Sequence, residues 1–93
     1  MAVVHLTPIV RTSALPIVQI PSGVQYTTIS IYNGSAADIF VGDAATTTTG
    51  ANKGMTIAAD SSLVLCLNAG DTLYGIAAVE TSAGEVVILF SGI

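Results

Sequence analysis

The sequence predicts an all-β fold, a small antiparallel β-sandwich of jelly-roll-like or Ig-like type with an extended N-terminal arm. Turn-forming residues recur at short, regular intervals, the runs between them are rich in Val, Ile, Thr, Tyr and Leu, and several runs alternate with a period of two. Regular turn spacing of this kind marks a sandwich or barrel, and β-branched and aromatic residues suit a pleated, half-buried surface.

The turn signals are Pro21-Ser22-Gly23, Asn33-Gly34, Gly42-Asp43, Asp60-Ser61-Ser62, Asn68-Ala69-Gly70-Asp71 and Ser82-Ala83-Gly84. They separate strand candidates at residues 24–32, 38–41, 55–58, 63–67, 72–79 and 86–90. With short strands possible at 3–6 and 15–20, about six to eight strands are expected.

Alternation assigns faces. Ile29 and Ile31 point one way, and Thr28, Ser30 and Tyr32 the other. Ile39 and Val41 face the core, which turns Phe40 outward beside Asp38 and Gly42, where it needs a partner. In residues 63–67, three leucines oppose Val64 and Cys66; in 86–90, Val86, Ile88 and Phe90 oppose Val87 and Leu89. Apolar side chains on both faces imply a second layer supplied by another chain. Leu65, central in its run, is expected in the intrachain core.

Residues 1–20 read as an extended arm preceding a sandwich domain at 21–93. Pro8 and Pro16 cannot donate to a ladder and favour extended or edge conformations, while the apolar residues around them require burial. Strands at 3–6 and 15–20 would instead make the segment part of the domain. The arm and the outward phenylalanine give the expected partner interface: Val3, Leu6, Ile9, Val10, Leu15, Ile17, Val18 and Phe40. The longest connection, 42–54, contains Thr46-Thr47-Thr48-Thr49 and no apolar anchor, so it is expected to be a loop that tolerates replacement.

Composition limits the function. The 93 residues suffice for one domain, and 52% are hydrophobic while 9% are charged, against about 25% charged in an average soluble domain. Residues 12–37 contain no charge at all. Burial against other subunits accounts for such a surface, because large apolar patches mark interaction sites. A membrane-spanning helix needs about 20 consecutive apolar residues, and Pro16, Pro21 and Gly23 interrupt the apolar runs. No basic region precedes an apolar core at the N-terminus, so a cytoplasmic site of synthesis is expected. With a net charge of −4 and only Arg11 and Lys53 as cations, the chain lacks a phosphate-tracking groove, and nucleic acid is not an expected partner.

Candidate chemistry is sparse. Cys66 is the single cysteine, flanked by Leu65 and Leu67, and reads as a small buried hydrophobe. His5 is the single histidine and has no partner at motif spacing. Asp38, Asp43, Asp60, Asp71, Glu80 and Glu85 lie at or near turns, where carboxylates bond nearby amides; calcium between Asp38 and Asp43 matches no known loop pattern. Asn33-Gly34-Ser35 fits a glycosylation acceptor but reads better as turn residues needing positive φ. With no phosphate-binding or nucleophile-elbow motif, no catalytic residue, cofactor or metal is assigned, and a non-enzymatic protein is expected.

The strings Tyr32-Asn33-Gly34-Ser35-Ala36-Ala37-Asp38-Ile39-Phe40-Val41-Gly42 and Ala69-Gly70-Asp71-Thr72-Leu73-Tyr74-Gly75-Ile76 resemble small tailed-bacteriophage virion proteins. The theme, covering residues 24–93, is an N-[GT]-S turn, an I-x-V-G strand, a Thr/Gly-rich loop, an A-G-x-x-L-Y-[AG] segment and an apolar closing strand. The resemblance implies a capsid decoration (cement) protein or head-associated sandwich module. Such a protein stabilises the outer surface of an icosahedral head, with the major capsid protein as partner and a homotrimer as the favoured oligomer. The alternative is a tail- or fibre-associated module that recognises a host-surface glycan. The family theme carries no catalytic residues.

Overall fold

The computed structural model describes residues 3–23 and 27–91, and within them every regular element is a strand. The strands are β1 (Val3–Leu6), β2 (Leu15–Gln19), β3 (Thr27–Asn33), β4 (Ile39–Gly42), β5 (Met55–Ile57), β6 (Ser61–Leu67), β7 (Thr72–Ala77) and β8 (Val86–Ser91). Val24, Gln25 and Tyr26, at the start of the strand expected over 24–32, lie outside the described residues.

The strands form two four-stranded sheets, β1-β8-β3-β6 and β2-β7-β4-β5, antiparallel throughout. Four of the pairs are nested: β1 with β8, β2 with β7, β3 with β6, and β4 with β5. A long ladder of that kind, rolled so that β8 meets β3 and β7 meets β4, is a jelly roll. Of the two sandwich types expected, the strand order selects this one.

The core lies between the sheets and is built mainly from isoleucine and valine. Ile29 and Ile31 of β3 and Val86 and Ile88 of β8 are fully buried, facing Ile39, Val41 and Ile57 across the sandwich. Each such side chain stabilises the fold by about 1.5–3 kcal/mol relative to exposure. β-branched side chains fit both requirements here, strand backbone and tight inter-sheet packing.

Residues 3–20 do not form a separate arm. Within the described part, β1 is an edge of the first sheet and β2 an edge of the second. Val10 and Ile20 are fully buried, and Val18 is 3% exposed. Pro16 is tolerated because β2 is an edge strand that breaks register between Pro16 and Val18. That irregularity buries Ile17 and Val18 in succession. Gly75 on β7 makes the room, since a Cβ there would sit 3.0 Å from Ile17 Cγ2. The boundary expected at residue 20 therefore has no counterpart in the strand pairing.

The Asn33-Gly34 turn also differs from expectation. Asn33 is fully buried; its Nδ2 donates to the carbonyls of Ala37 and Ile57 at 2.8 and 2.9 Å, and its Oδ1 accepts from Ser35 N–H and Oγ–H at 3.0 and 2.6 Å. Its backbone carbonyl takes the Asp60 N–H at 2.7 Å. Gly34 is not among the positive-φ residues; glycine fits because a Cβ would meet Glu85 O at 2.8 Å and the Tyr32 ring at 2.9 Å. The motif thus joins the β3–β4, β5–β6 and β7–β8 connections rather than forming a hairpin turn.

Candidate partner interface

Neither sheet contains a charged residue in any strand: the two cations and six acids of the chain all lie in connections. There the acids act mainly on local backbone. Asp43 Oδ1 accepts from Ala45 N–H at 2.9 Å, Asp71 Oδ2 from Asn68 N–H at 2.8 Å, and Glu85 Oε1 from Ser82 N–H at 2.6 Å. Glu80 pairs with Arg11 at 2.9 Å, both side chains half exposed, an arrangement of little energetic weight. Turn chemistry accounts for Asp43, Asp71 and Glu85, as expected from their positions, whereas Asp60 accepts from the Tyr32 hydroxyl at 3.3 Å, 28 positions away.

The eight residues assigned to a partner interface divide. Val10, Ile17 and Val18 belong to the core, and half-buried Leu6 packs against it. Their side chains are already used within the chain, which corrects the assignment for those four. Val3, Ile9 and Leu15 are exposed at 73%, 36% and 45%. Phe40 does turn away from Ile39 and Val41, as alternation requires. It is 9% exposed, however, with Lys53 Nζ 5.7 Å from its ring centroid. The partner expected for Phe40 comes from its own chain, through a cation–π contact.

The loop expected to tolerate replacement for want of an apolar anchor is held by a polar one. Thr46 is 5% exposed and packs between Gly42 and Gly54, where a Cβ at either position would collide with it. Thr47 N–H donates to Asn52 O at 3.0 Å, Gly54 N–H to Thr47 O at 3.1 Å, and Thr47 forms a bridge with Lys53. Free replacement of all four threonines is therefore incompatible with the structure. Val41, Asp43, Thr46, Asn52, Lys53 and Met55 line a shallow cleft beside this loop.

The outward face of the first sheet was visible in the sequence as the second apolar side of 63–67 and 86–90, but its residues were missing from the expected interface. Register places His5, Leu89, Ser30 and Val64 in one row across all four strands, with Val87, Tyr32 and Ser62 in the next. Val64 is 62% exposed, Leu89 44% and Tyr32 43%. Cys66 is exposed on the same face, its Sγ 3.6 Å from Thr28 Oγ1, rather than buried. Leu63, Leu65 and Leu67 face inward yet are half-buried, packed against the core without closing it; Leu65 is thus at the margin of the core, not its centre.

Among the described residues no group of three or more His, Cys, Asp or Glu could hold a metal, and no helix is long and apolar enough to cross a membrane. Comparison with protein-family models, curated proteins and solved structures finds no match to this chain.

Proposed function

We propose that the chain is a virion structural protein, a capsid decoration or cement protein that binds the outer surface of an icosahedral phage head. The observation that carries the reading is the outward face of the β1-β8-β3-β6 sheet, where Leu89, Val64 and Tyr32 stand exposed and no strand contributes a charge. A face of this composition favours a permanent apolar contact, as obligate interfaces do, over a solvated surface. The major capsid protein is the corresponding partner, and the resemblance of the 32–42 and 69–76 strings to small tailed-phage virion proteins supports the same assignment. The fold alone supports no particular job.

The test is co-sedimentation with purified heads lacking this chain, followed by imaging of the reconstituted particles. Leu89→Asp should fold, judged by circular dichroism, and fail to co-sediment. Equal attachment of Leu89→Asp and the parent, or no attachment of the parent, overturns the reading. The glycan-binding alternative has less support, because the cleft beside the 42–54 loop has no aromatic platform among its lining residues; specific signals on a glycan array would favour it.

A further inference from the structure

Jelly rolls have four sheet edges, and three of those here are guarded. β1 spans four residues and β5 three, while β2 carries Pro16 and a break in register. Short length, proline and bulges are the usual devices that stop an edge from pairing with another chain. β6 has none of them: it runs seven residues, Ser61–Leu67, without Pro, Gly or charge, and its ladder with β3 is regular throughout. β3 is its only strand partner among the described residues.

We propose that β6 is a self-association strand, pairing antiparallel with β6 of a second copy about a two-fold axis at Val64. The result is one continuous eight-stranded sheet across two molecules. In an antiparallel pair, side chains directly opposite share a face. Pairing about Val64 sets Ser61 opposite Leu67, Ser62 opposite Cys66 and Leu63 opposite Leu65. The half-buried leucines of both copies then line one side of the seam and cover one another, and the exposed Val64 side chains meet on the other.

The self-complementary register points to a second copy as the occupant, and charge does not oppose it. The chain carries a net −4, so self-association requires a seam free of opposed acids. This register supplies one, because the neighbouring Asp60 falls opposite Asn68 and no acid faces an acid. The strand is uncharged and apolar on both sides, which is also what its free edge requires of a partner. Pairing of this type closes after two copies, giving a dimer where the family resemblance favoured a trimer. It does not depend on the virion reading, and its test uses the isolated chain.

The experiment is sedimentation equilibrium of the full-length protein at micromolar concentration, with oxidative crosslinking of cysteine variants. The parent should have twice the chain mass. Val64→Lys, which puts two like charges at the axis, should lose the dimer with its circular dichroism spectrum unchanged, whereas Leu89→Lys, two strands inside the sheet, should keep it. In a Cys66→Ser background, Val64→Cys should form a disulfide-linked dimer, because cross-strand neighbours lie within disulfide reach. Leu89→Cys in the same background should not. With native Cys66 retained, Ser62→Cys should also crosslink through the 62–66 pair. A monomeric or trimeric parent, a dimer lost with Leu89→Lys but not Val64→Lys, or a dimer in which neither Val64→Cys nor Ser62→Cys crosslinks overturns the proposal. Should Val64→Lys fail to fold, the crosslinking pair still decides.

Discussion

Val10 and Thr81 hold each other by a reciprocal pair of hydrogen bonds. The Val10 N–H donates to Thr81 Oγ1 at 2.9 Å, and the Thr81 N–H returns to the Val10 carbonyl at 3.0 Å. Both residues are buried, 71 positions apart in the chain. With the bond from Ala77 N–H to Arg11 O at 2.9 Å, they fasten the N-terminal segment to the end of β7 and the connection that follows it.

Thr81→Val keeps the shape of the side chain and removes the acceptor, leaving the buried Val10 amide unpaired. The expected loss is about 1–3 kcal/mol, the cost of an unsatisfied buried donor. Urea denaturation measures it, and Thr81→Ser should recover most of it. A loss under about 0.5 kcal/mol would mean that water reaches the amide.

Asn33→Asp replaces the Nδ2 donor with an oxygen facing the carbonyls of Ala37 and Ile57. A carboxylate there is fully buried and faces two carbonyl oxygens, which drives its folded-state pKa up against the opposing pull of the Ser35 N–H and Oγ–H donors. A group whose folded pKa exceeds its unfolded one binds more protons when folded, and stability then falls as pH rises. The variant should be closest to the parent at acid pH and lose stability through and above the ordinary carboxylate range. Thermal melts across pH, parent against variant, would show a flat difference if this environment were wrong.

Gly42→Ala should destabilise by about 1–3 kcal/mol, the usual cost of overpacking, because the three atoms nearest the added Cβ all belong to Thr46. Thr46→Ala in the same chain should relieve that cost, a coupling that a double-mutant cycle measures. Gly54→Ala should not be rescued, since its Cβ would also lie 2.7 Å from the Val41 carbonyl oxygen. Additive effects at Gly42 and Thr46 would place Thr46 elsewhere.

The period-two pattern was enough to read Ile29 and Ile31 as inward, because they alternate with Thr28, Ser30 and Tyr32. Ile39, Val86 and Ile88 alternate instead with Phe40, Val87 and Leu89, and were placed inward by their register on the strand rather than by polarity. Three features were hidden for physical reasons. Proline disfavours a central strand but not an edge, so Pro16 is compatible with both an arm and β2. The burial of Thr46 depends on two glycines that flank it in space as well as in sequence, and a hydroxyl residue gives no apolar signal. Leu65 and Cys66 sit in an apolar run that reads as core, yet the run is an edge, and edge position follows from topology rather than from composition.

Ile31 and Leu65 separate the core from its margin, and their alanine variants should differ accordingly. Ile31 is fully buried on a strand flanked on both sides, by β6 and by β8. Removing its side chain leaves a cavity that the neighbours cannot collapse into, and the expected cost is about 2–5 kcal/mol. Leu65 pairs with Ile29 in register but stands at the open edge, half-buried, so less apolar area returns to water and the cavity is open. Its cost in a monomeric chain should fall at or below the low end of that range, about 1–2 kcal/mol. If β6 pairs with a second copy, Leu65 gains cover on association, and its apparent cost should grow with protein concentration as mass action requires. The Ile31 cost should then change little with concentration. Chemical denaturation of both variants at several concentrations reads these quantities directly. Equal costs for the two, unchanged by dilution, would place Leu65 in a closed core and remove the free edge at β6.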